Sequence, residues 1–247
     1  MLAFRLHLVH TKRKLTMENM LGSPREDLFG ITTDFIEKLK NGSITPMEAK
    51  RFLRRENPFL GPSMELANQL TRWQVIFGKA GVTCDTSKLK IPKQQPGFDR
   101  LIIVPKGLTR KQMIKIMRTK FNMWVYTDDL DEAITKNDRS NEDDTYAVWV
   151  RDNVEADEEL KNLSANDIAE QKISGQTLLE RLLHEWAYSD ETGKHLDIEN
   201  VTLCAGSRYS DGRVPSVYWY HDDRKVHVDW YDPGGSLARL RTRAVVS

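Results

Sequence analysis

The sequence predicts an α+β fold, in which a small N-terminal helical region precedes a larger domain of mixed helices and strands. Amphipathic segments with helix-capping residues occupy the first part of the chain, up to about residue 80. After Val201, apolar and polar residues alternate with a period of two, which is typical of half-buried strands. The chain has 247 residues, enough for one large core with an appendage.

We expect three parts along the chain. Residues 1–25 are interpreted as a leader that need not be ordered. Residues 26–96 form a helical region that ends in a linker at 88–97, where Pro92 and Pro96 stand among polar residues. Residues 97–247 form the main domain.

Capping residues predict where the N-terminal helices begin. Thr45 and Glu48 form a capping box, with Pro46 at the first helical position. Further helices are expected at 33–39 and 64–77, because apolar residues recur there at helical spacing.

The main domain begins with alternating strands and helices. Short apolar strands are expected at 101–104, 122–126 and 146–150, with helices that begin at Thr109 and Asp129 and a polar loop at 136–144. A longer helix begins at the capping box of Thr177 and Glu180 and ends near Gly193. Strands and turns follow it to the C-terminus.

Composition and charge limit the classes of function. The net charge of +1 argues against a general nucleic-acid binder, because phosphate recognition requires a basic excess. No apolar run approaches the roughly 18 residues of a membrane span, so we expect no membrane partner. Two cysteines, Cys84 and Cys204, are too few for a disulfide framework or a four-thiolate zinc site. They fit a reducing compartment, and we expect a cytoplasmic protein.

Two sets of residues resemble catalytic or metal-binding motifs. His184 and Glu185 match half of a zinc-protease helix, but Tyr188 replaces the second His. We therefore interpret His184 as a helix-surface residue beside an exposed Glu. Cys204 has no nearby His to activate it and is interpreted as a buried structural thiol. We expect no catalytic residue, no metal and no cofactor.

The closing strands carry the clearest pattern in the chain. One face is apolar and is interpreted as a scaffold that packs on the core: Val217, Trp219, Val226, Val228 and Trp230. The opposite face mixes aromatic, hydroxyl and charged groups: Ser216, Tyr218, Tyr220, His227, Asp229 and Tyr231. Tyr, Ser and Asp are typical of binding surfaces, since stiff rings give contact area at low entropy cost. This face is predicted to bind a partner; alternatively, its tyrosines pack beneath a loop.

The segment at about 203–247 resembles the variable region of proteins diversified by retroelements. The matching motifs are Leu-Cys-Ala-Gly-Ser-Arg at 203–208, Ser-Asp-Gly at 210–212, Val-x-Val-x-Trp at 226–230 and Leu-Arg-x-Arg-Ala-Val-Val-Ser at 240–247. That family presents hypervariable residues on a C-type lectin-like fold. The resemblance therefore implies a C-type lectin-like domain at 97–247. The Glu-Pro-Asn and Trp-Asn-Asp motifs of calcium-dependent lectins do not occur, so sugar binding through calcium is not expected.

The resemblance also implies which residues vary. In such systems, mutagenesis at template adenines turns Asn codons into codons that cannot specify Trp, Lys, Glu, Gln or Met. The scaffold tryptophans and valines would then be fixed. The implied ligand-binding surface comprises Tyr209, Arg213, Ser216, Tyr218, Tyr220, His221, His227, Asp229, Tyr231 and Asp232.

The expected function is binding of a protein ligand through this surface, and the sequence does not identify that ligand. One alternative is an enzyme on the same fold, similar to the formylglycine-generating enzymes, which need a reactive cysteine pair. Another is an intracellular sensor or docking module that acts through the N-terminal helices. Self-association stays open as well.

Overall fold

The computed structural model describes residues 24–54 and 62–247, and it confirms the α+β class. The chain divides into two compact units, Met1–Leu60 and Gly61–Ser247. Almost all of the expected leader at 1–25 lies outside the described residues. In the described ranges, no helix combines the length and the apolar character that a bilayer crossing requires.

The first unit contains two helices in its described part, α1 (Pro24–Lys40) and α2 (Pro46–Leu53). The predicted capping box of α2 is present. The Glu48 N–H donates to Thr45 Oγ1 at 3.2 Å, and the Glu48 carboxylate accepts from the Thr45 N–H at 2.7 Å. These reciprocal bonds satisfy two backbone donors that the helix itself leaves unpaired.

The second unit begins with helix α3 (Pro62–Ala80). The indole N–H of Trp73, on α3, donates to the carbonyl of Leu101 at 2.8 Å. The expected linker also packs here, since the indole N–H of Trp149 donates to the carbonyl of Pro92 at 2.9 Å. These contacts attach both segments to the core of the second unit, Gly61–Ser247.

A three-stranded sheet and two helices form the interior of this unit. Strand β1 (Arg100–Val104) pairs antiparallel with β4 (Tyr146–Val150), and β4 pairs with β10 (Val245–Val246). Helix α7 (Leu178–Thr192) contacts both β1 and α4 (Arg110–Met117). Strand β1 is buried along its whole length, which explains its continuous apolar sequence.

The helix boundaries lie where the capping residues predict. Thr109 and Gln112 form the capping box of α4, and Thr177 and Glu180 form that of α7. Helix α7 ends at Gly193, whose φ of +68° lies in the left-handed region that glycine adopts without strain.

The predicted polar loop at 136–144 begins instead with the end of a strand. Helix α5 (Leu130–Ala133), capped by Asp129, leads into β3 (Ile134–Asn137). Strand β3 pairs antiparallel with β6 (Ser207–Tyr209). Most of its side chains are exposed and polar, so the sequence shows no buried alternation there.

The five-stranded sheet contains the closing strands in the order β2-β8-β7-β5-β9. Its strands are β2 (Met123–Val125), β5 (Val201–Leu203), β7 (Val214–Tyr220), β8 (Lys225–Tyr231) and β9 (Leu240–Thr242). Strands β7 and β8 form an antiparallel hairpin, but β2 runs parallel to β8 and β9 parallel to β5. The sheet is therefore mixed and not antiparallel throughout, because no tight turn dictates the direction of either edge strand.

Helix α6 (Ala165–Glu170) covers one end of the outer face of this sheet. Its Ala165 belongs to a small buried cluster with four residues from the strands: Val201, Leu203, Val214 and Leu240. Tyr218 and Tyr231 pack at the border of that cluster. The hairpin's outer face is consequently closed near α6 and more exposed towards its turn.

Candidate functional site

The apolar face of the β7–β8 hairpin lies on the core. Val217, Val226 and Val228 are fully buried in the main hydrophobic cluster. Trp219 and Trp230 pack against the same cluster but are only half-buried, because they lie towards the ends of the hairpin. The valines thus anchor the hairpin, and each tryptophan leaves part of its ring accessible.

Trp219 connects the sheet to helix α7 through a histidine. Its indole stacks on the imidazole of His195, with ring centroids 3.7 Å apart and planes 6° apart. His195 Nδ1 lies 2.8 Å from Glu185 Oε1. His184 and Glu185 are both fully buried, so their interpretation as a helix-surface pair is wrong. Sheet and helix elements surround α7, and the Glu185 carboxylate finds its partners inside the unit.

A buried ionic network supplies those partners. The Arg181 guanidinium binds Glu185 at 2.9 Å and Asp197 at 2.7 Å, and Arg243 binds the second Asp197 oxygen at 2.7 Å. Burial alone would raise the pKa of Asp197, but the two guanidinium groups hold it below its ordinary value. The network ties α7 to the segments on either side of the closing strands.

The outer face of the hairpin presents a group of aromatic rings near the turn. The imidazole of His227 lies 5.2 Å from the rings of both Tyr218 and Tyr220, measured between centroids. On its other side it stacks on the indole of Trp124, from β2, at 5.2 Å. We call these four residues the aromatic patch. Trp124 and Tyr220 are each 40% exposed, so the patch presents ring surface to solvent.

Asp223, in the hairpin turn, holds the central imidazole in place. Its carboxylate lies 3.0 Å from His227 Nε2 and 3.2 Å from Lys225 Nζ. Desolvation raises the pKa of Asp223, but the bonds to His227 and Lys225 together lower it below its ordinary value. The carboxylate is therefore ionised at neutral pH and orients the ring at the centre of the patch.

The part of the outer face between the patch and α6 is less open. Asp229 and Tyr231 are half-buried, and Tyr231 accepts a hydrogen bond from Arg239 Nη2 at 3.4 Å. Burial, reinforced by the negative charge of Asp229, raises the pKa of Tyr218 to about 12. Ser216 is fully buried, which contradicts its expected place on the accessible surface. It lies beside Leu203, within reach of the cluster that α6 covers.

Two residues implied by the resemblance lie away from this face. Tyr209 is 4% exposed and belongs to the main core cluster, so it is not an accessible contact residue. Its strand pairs with β3 outside the five-stranded sheet, and burial raises the pKa of its hydroxyl. The Arg213 guanidinium lies 3.9 Å from the ring centroid of Trp230, a residue of the apolar face. It also donates to the Tyr126 hydroxyl at 3.0 Å.

The remaining implied residues are exposed: His221 follows β7 in the hairpin turn, and Asp232 follows β8. Sequence reasoning missed Trp124, which stacks on His227. The strand around it was predicted, but its pairing with β8 was not. The sequence did offer a signal for it. Trp124 lies between Met123 and Val125, which face inward, so alternation places its ring on the outer face.

Burial sets the environment of the two cysteines. Cys204 is fully buried, and burial raises the pKa of its thiol. Cys84 is half-buried, and burial raises its pKa too. Within residues 24–54 and 62–247, no three His, Cys, Asp or Glu side chains converge in a way that could hold a metal ion.

No protein-family model, curated protein or solved structure matches this chain. The function is therefore inferred from the geometry of the site and from the pattern of the closing segment.

Proposed function

We propose that this protein binds a protein ligand through a hypervariable surface, displayed on a C-type lectin-like scaffold and diversified by retroelement mutagenesis. The aromatic patch is the observation that carries the proposal. Three aromatic rings lie around the His227 imidazole, and two of them, those of Trp124 and Tyr220, remain 40% exposed. Exposed rigid aromatic side chains that support one another are typical of the energetic centre of an interface.

The division of the hairpin into two faces supports diversification. The buried valines on the inner face each stabilise the fold by about 1.5–3 kcal/mol. Exposed residues away from special features change stability by only about 0.5 kcal/mol when substituted. The outer positions near the turn, such as Tyr220 and His221, can therefore change while the scaffold is kept.

A protein ligand suits the patch better than a small molecule. Clefts of about 260 to 620 Å³ occur elsewhere in the second unit, and none of these is lined by a patch residue. Small ligands are usually enclosed by concave pockets, whereas protein partners dock on open aromatic surfaces with a polar rim. Here the turn residues 221–225 supply that rim.

We further propose that the chain has no catalytic role and acts in the cytoplasm. Both thiols have raised pKa values, which makes them poor nucleophiles at neutral pH. Two free cysteines are also compatible with a reducing compartment.

The genome that encodes the chain provides the test of diversification. We expect a reverse transcriptase gene nearby, with a near-copy of the sequence that encodes the C-terminal segment. The two copies should differ at adenines of the template, and the differences should fall on codons for outer-face residues. A complete genome without such a copy would contradict the diversification.

A further inference from the structure

Beside the aromatic patch, the outer face carries a carboxylate that forms no ion pair with the described residues. Asp229 is half-buried on β8. In the part of the chain that the structure describes, the polar contact of its side chain is a hydrogen bond that Oδ1 accepts from the Trp230 N–H at 2.9 Å. Asp223, by contrast, is paired with both Lys225 and His227. A partly desolvated carboxylate without a cation is the kind of group that a cationic ligand stabilises.

Ser216 provides a second, independent observation. It lies directly opposite Asp229 in the β7–β8 register, so both side chains point to the outer face. The residue is fully buried, and its Oγ has no hydrogen-bond partner among the described residues. Buried hydroxyl groups normally have a partner, and one without a partner costs free energy. A donor brought by a ligand would satisfy this oxygen.

Two tyrosines complete the surroundings of this pair. Tyr231 follows Asp229 two residues along β8, and Tyr218 lies diagonally across on β7. The faces of tyrosine rings attract cations, and a carboxylate next to them adds a full opposite charge. Ser216, Tyr218, Asp229 and Tyr231 thus combine the features that recognise a guanidinium or ammonium group.

We propose that these four residues, the Asp229 subsite, receive an arginine or lysine side chain of the protein ligand. The inference rests on the proposed function, because it names the chemistry of the ligand that the same surface binds. One cation of the chain, Arg239, lies at the border of this place. It is exposed, and its hydrogen bond goes to the Tyr231 hydroxyl at the edge of the subsite.

The experiment selects a phage-displayed random peptide library on the immobilised full-length chain. Peptides are kept if they bind the Tyr220→Ser variant at least about tenfold more weakly than the wild type. We expect the kept peptides to contain arginine or lysine, and Asp229→Asn to weaken their binding at least about fivefold. Asp143→Asn makes the same charge change on an exposed loop and should leave their affinity unchanged.

A second variant separates ligand contact from a structural role. Ser216→Ala should weaken binding of the basic peptides without lowering the melting temperature of the free chain. The subsite is wrong if the kept peptides contain no basic residues, or if they bind the wild type and Asp229→Asn with equal affinity. Either result would leave the proposed function intact. If no selected peptide depends on Tyr220, the surface is not a binding site and both proposals fail.

Discussion

The imidazole of His227 stacks on the indole of Trp124, with ring centroids 5.2 Å apart and planes inclined by 27°. This contact joins β8, in the closing segment, to β2, which comes from a distant part of the chain. The aromatic patch is therefore shared between the segment that resembles a variable region and a strand outside it. A change at His227 alters the surface next to an indole that stays in place.

Trp124 should matter for binding far more than for stability. Trp124→Ala should lower the free energy of unfolding by about 1 kcal/mol or less, because the ring is 40% exposed and lies on an edge strand. It should nevertheless reduce the affinity of patch-dependent peptides by about tenfold or more. Urea unfolding and titration calorimetry measure the two effects.

Trp73→Ala is the matched control, since that indole is buried and hydrogen-bonded. It should cost about 3–5 kcal/mol of stability. Equal losses of stability for the two tryptophans would mean that Trp124 is a core residue.

Ser216→Ala should make the free protein slightly more stable. The hydroxyl is buried without a partner, and its removal abolishes that desolvation cost. We expect a gain of about 1 kcal/mol in the free energy of unfolding, measured by urea denaturation. A loss of similar size would show that the hydroxyl makes a stabilising bond within the fold.

The buried network around Asp197 should make stability depend on pH. The folded pKa of Asp197 is lowered, so the network contributes its full stability above the unfolded value of about 4 and loses it as pH falls through the folded pKa. The free energy of unfolding should therefore decrease progressively below about pH 4.

Asp197→Asn tests the origin of that dependence. Asp197 has a φ of +53°, which Asn also tolerates, so the substitution removes the charge with little backbone strain. The variant should lose about 3–5 kcal/mol at neutral pH, because Arg181 and Arg243 lose their shared partner. It should also show a flatter pH profile, and an unchanged profile would contradict this origin.

Gly206, in the Cys-Ala-Gly-Ser-Arg motif, should not tolerate a side chain. An added Cβ would lie 2.7 Å from the carbonyl oxygen of Gly175 and 3.0 Å from the backbone nitrogen of Thr177. Because both are backbone atoms, Gly206→Ala should cost about 1–3 kcal/mol in a thermal or urea unfolding experiment.

Gly234→Ala serves as its control. The nearest atom to a Cβ there is the Asn166 side-chain nitrogen at 3.7 Å, an ordinary contact distance. That substitution should change stability by about 0.5 kcal/mol or less. A neutral Gly206→Ala would mean that the two backbone segments separate easily.

Local patterns predicted the elements of the fold well. The capping pairs beginning with Thr45, Thr109 and Thr177 identified three helix starts, and Gly193 marked a helix end. These signals depend on hydrogen bonds between residues close in sequence, so the sequence contains all that they require. The alternation of the closing strands predicted the hairpin for the same reason.

Features that depend on contacts between residues far apart in the sequence were harder to predict. Alternation puts Ser216 on the polar face of the hairpin, yet Leu203 and the cluster under α6 bury it. Tyr209 lies in a strand that pairs with β3 and not with the hairpin. His184 and Glu185 look like surface residues of a helix, but strands and helices from distant parts of the chain pack around α7 and bury both. These contacts cannot be inferred from the spacing or the composition of the residues.

A deep mutational scan of the β7–β8 hairpin tests most directly whether its two faces have separate roles. Every position from 214 to 231 would be randomised, and folded chains would be separated by resistance to proteolysis. Variants at Tyr220, His221 and His227 should survive with most residue types, whereas Val217, Val226 and Val228 should accept only similar apolar residues. Equal intolerance on both faces would show that the outer rings hold the fold together and are not free to vary.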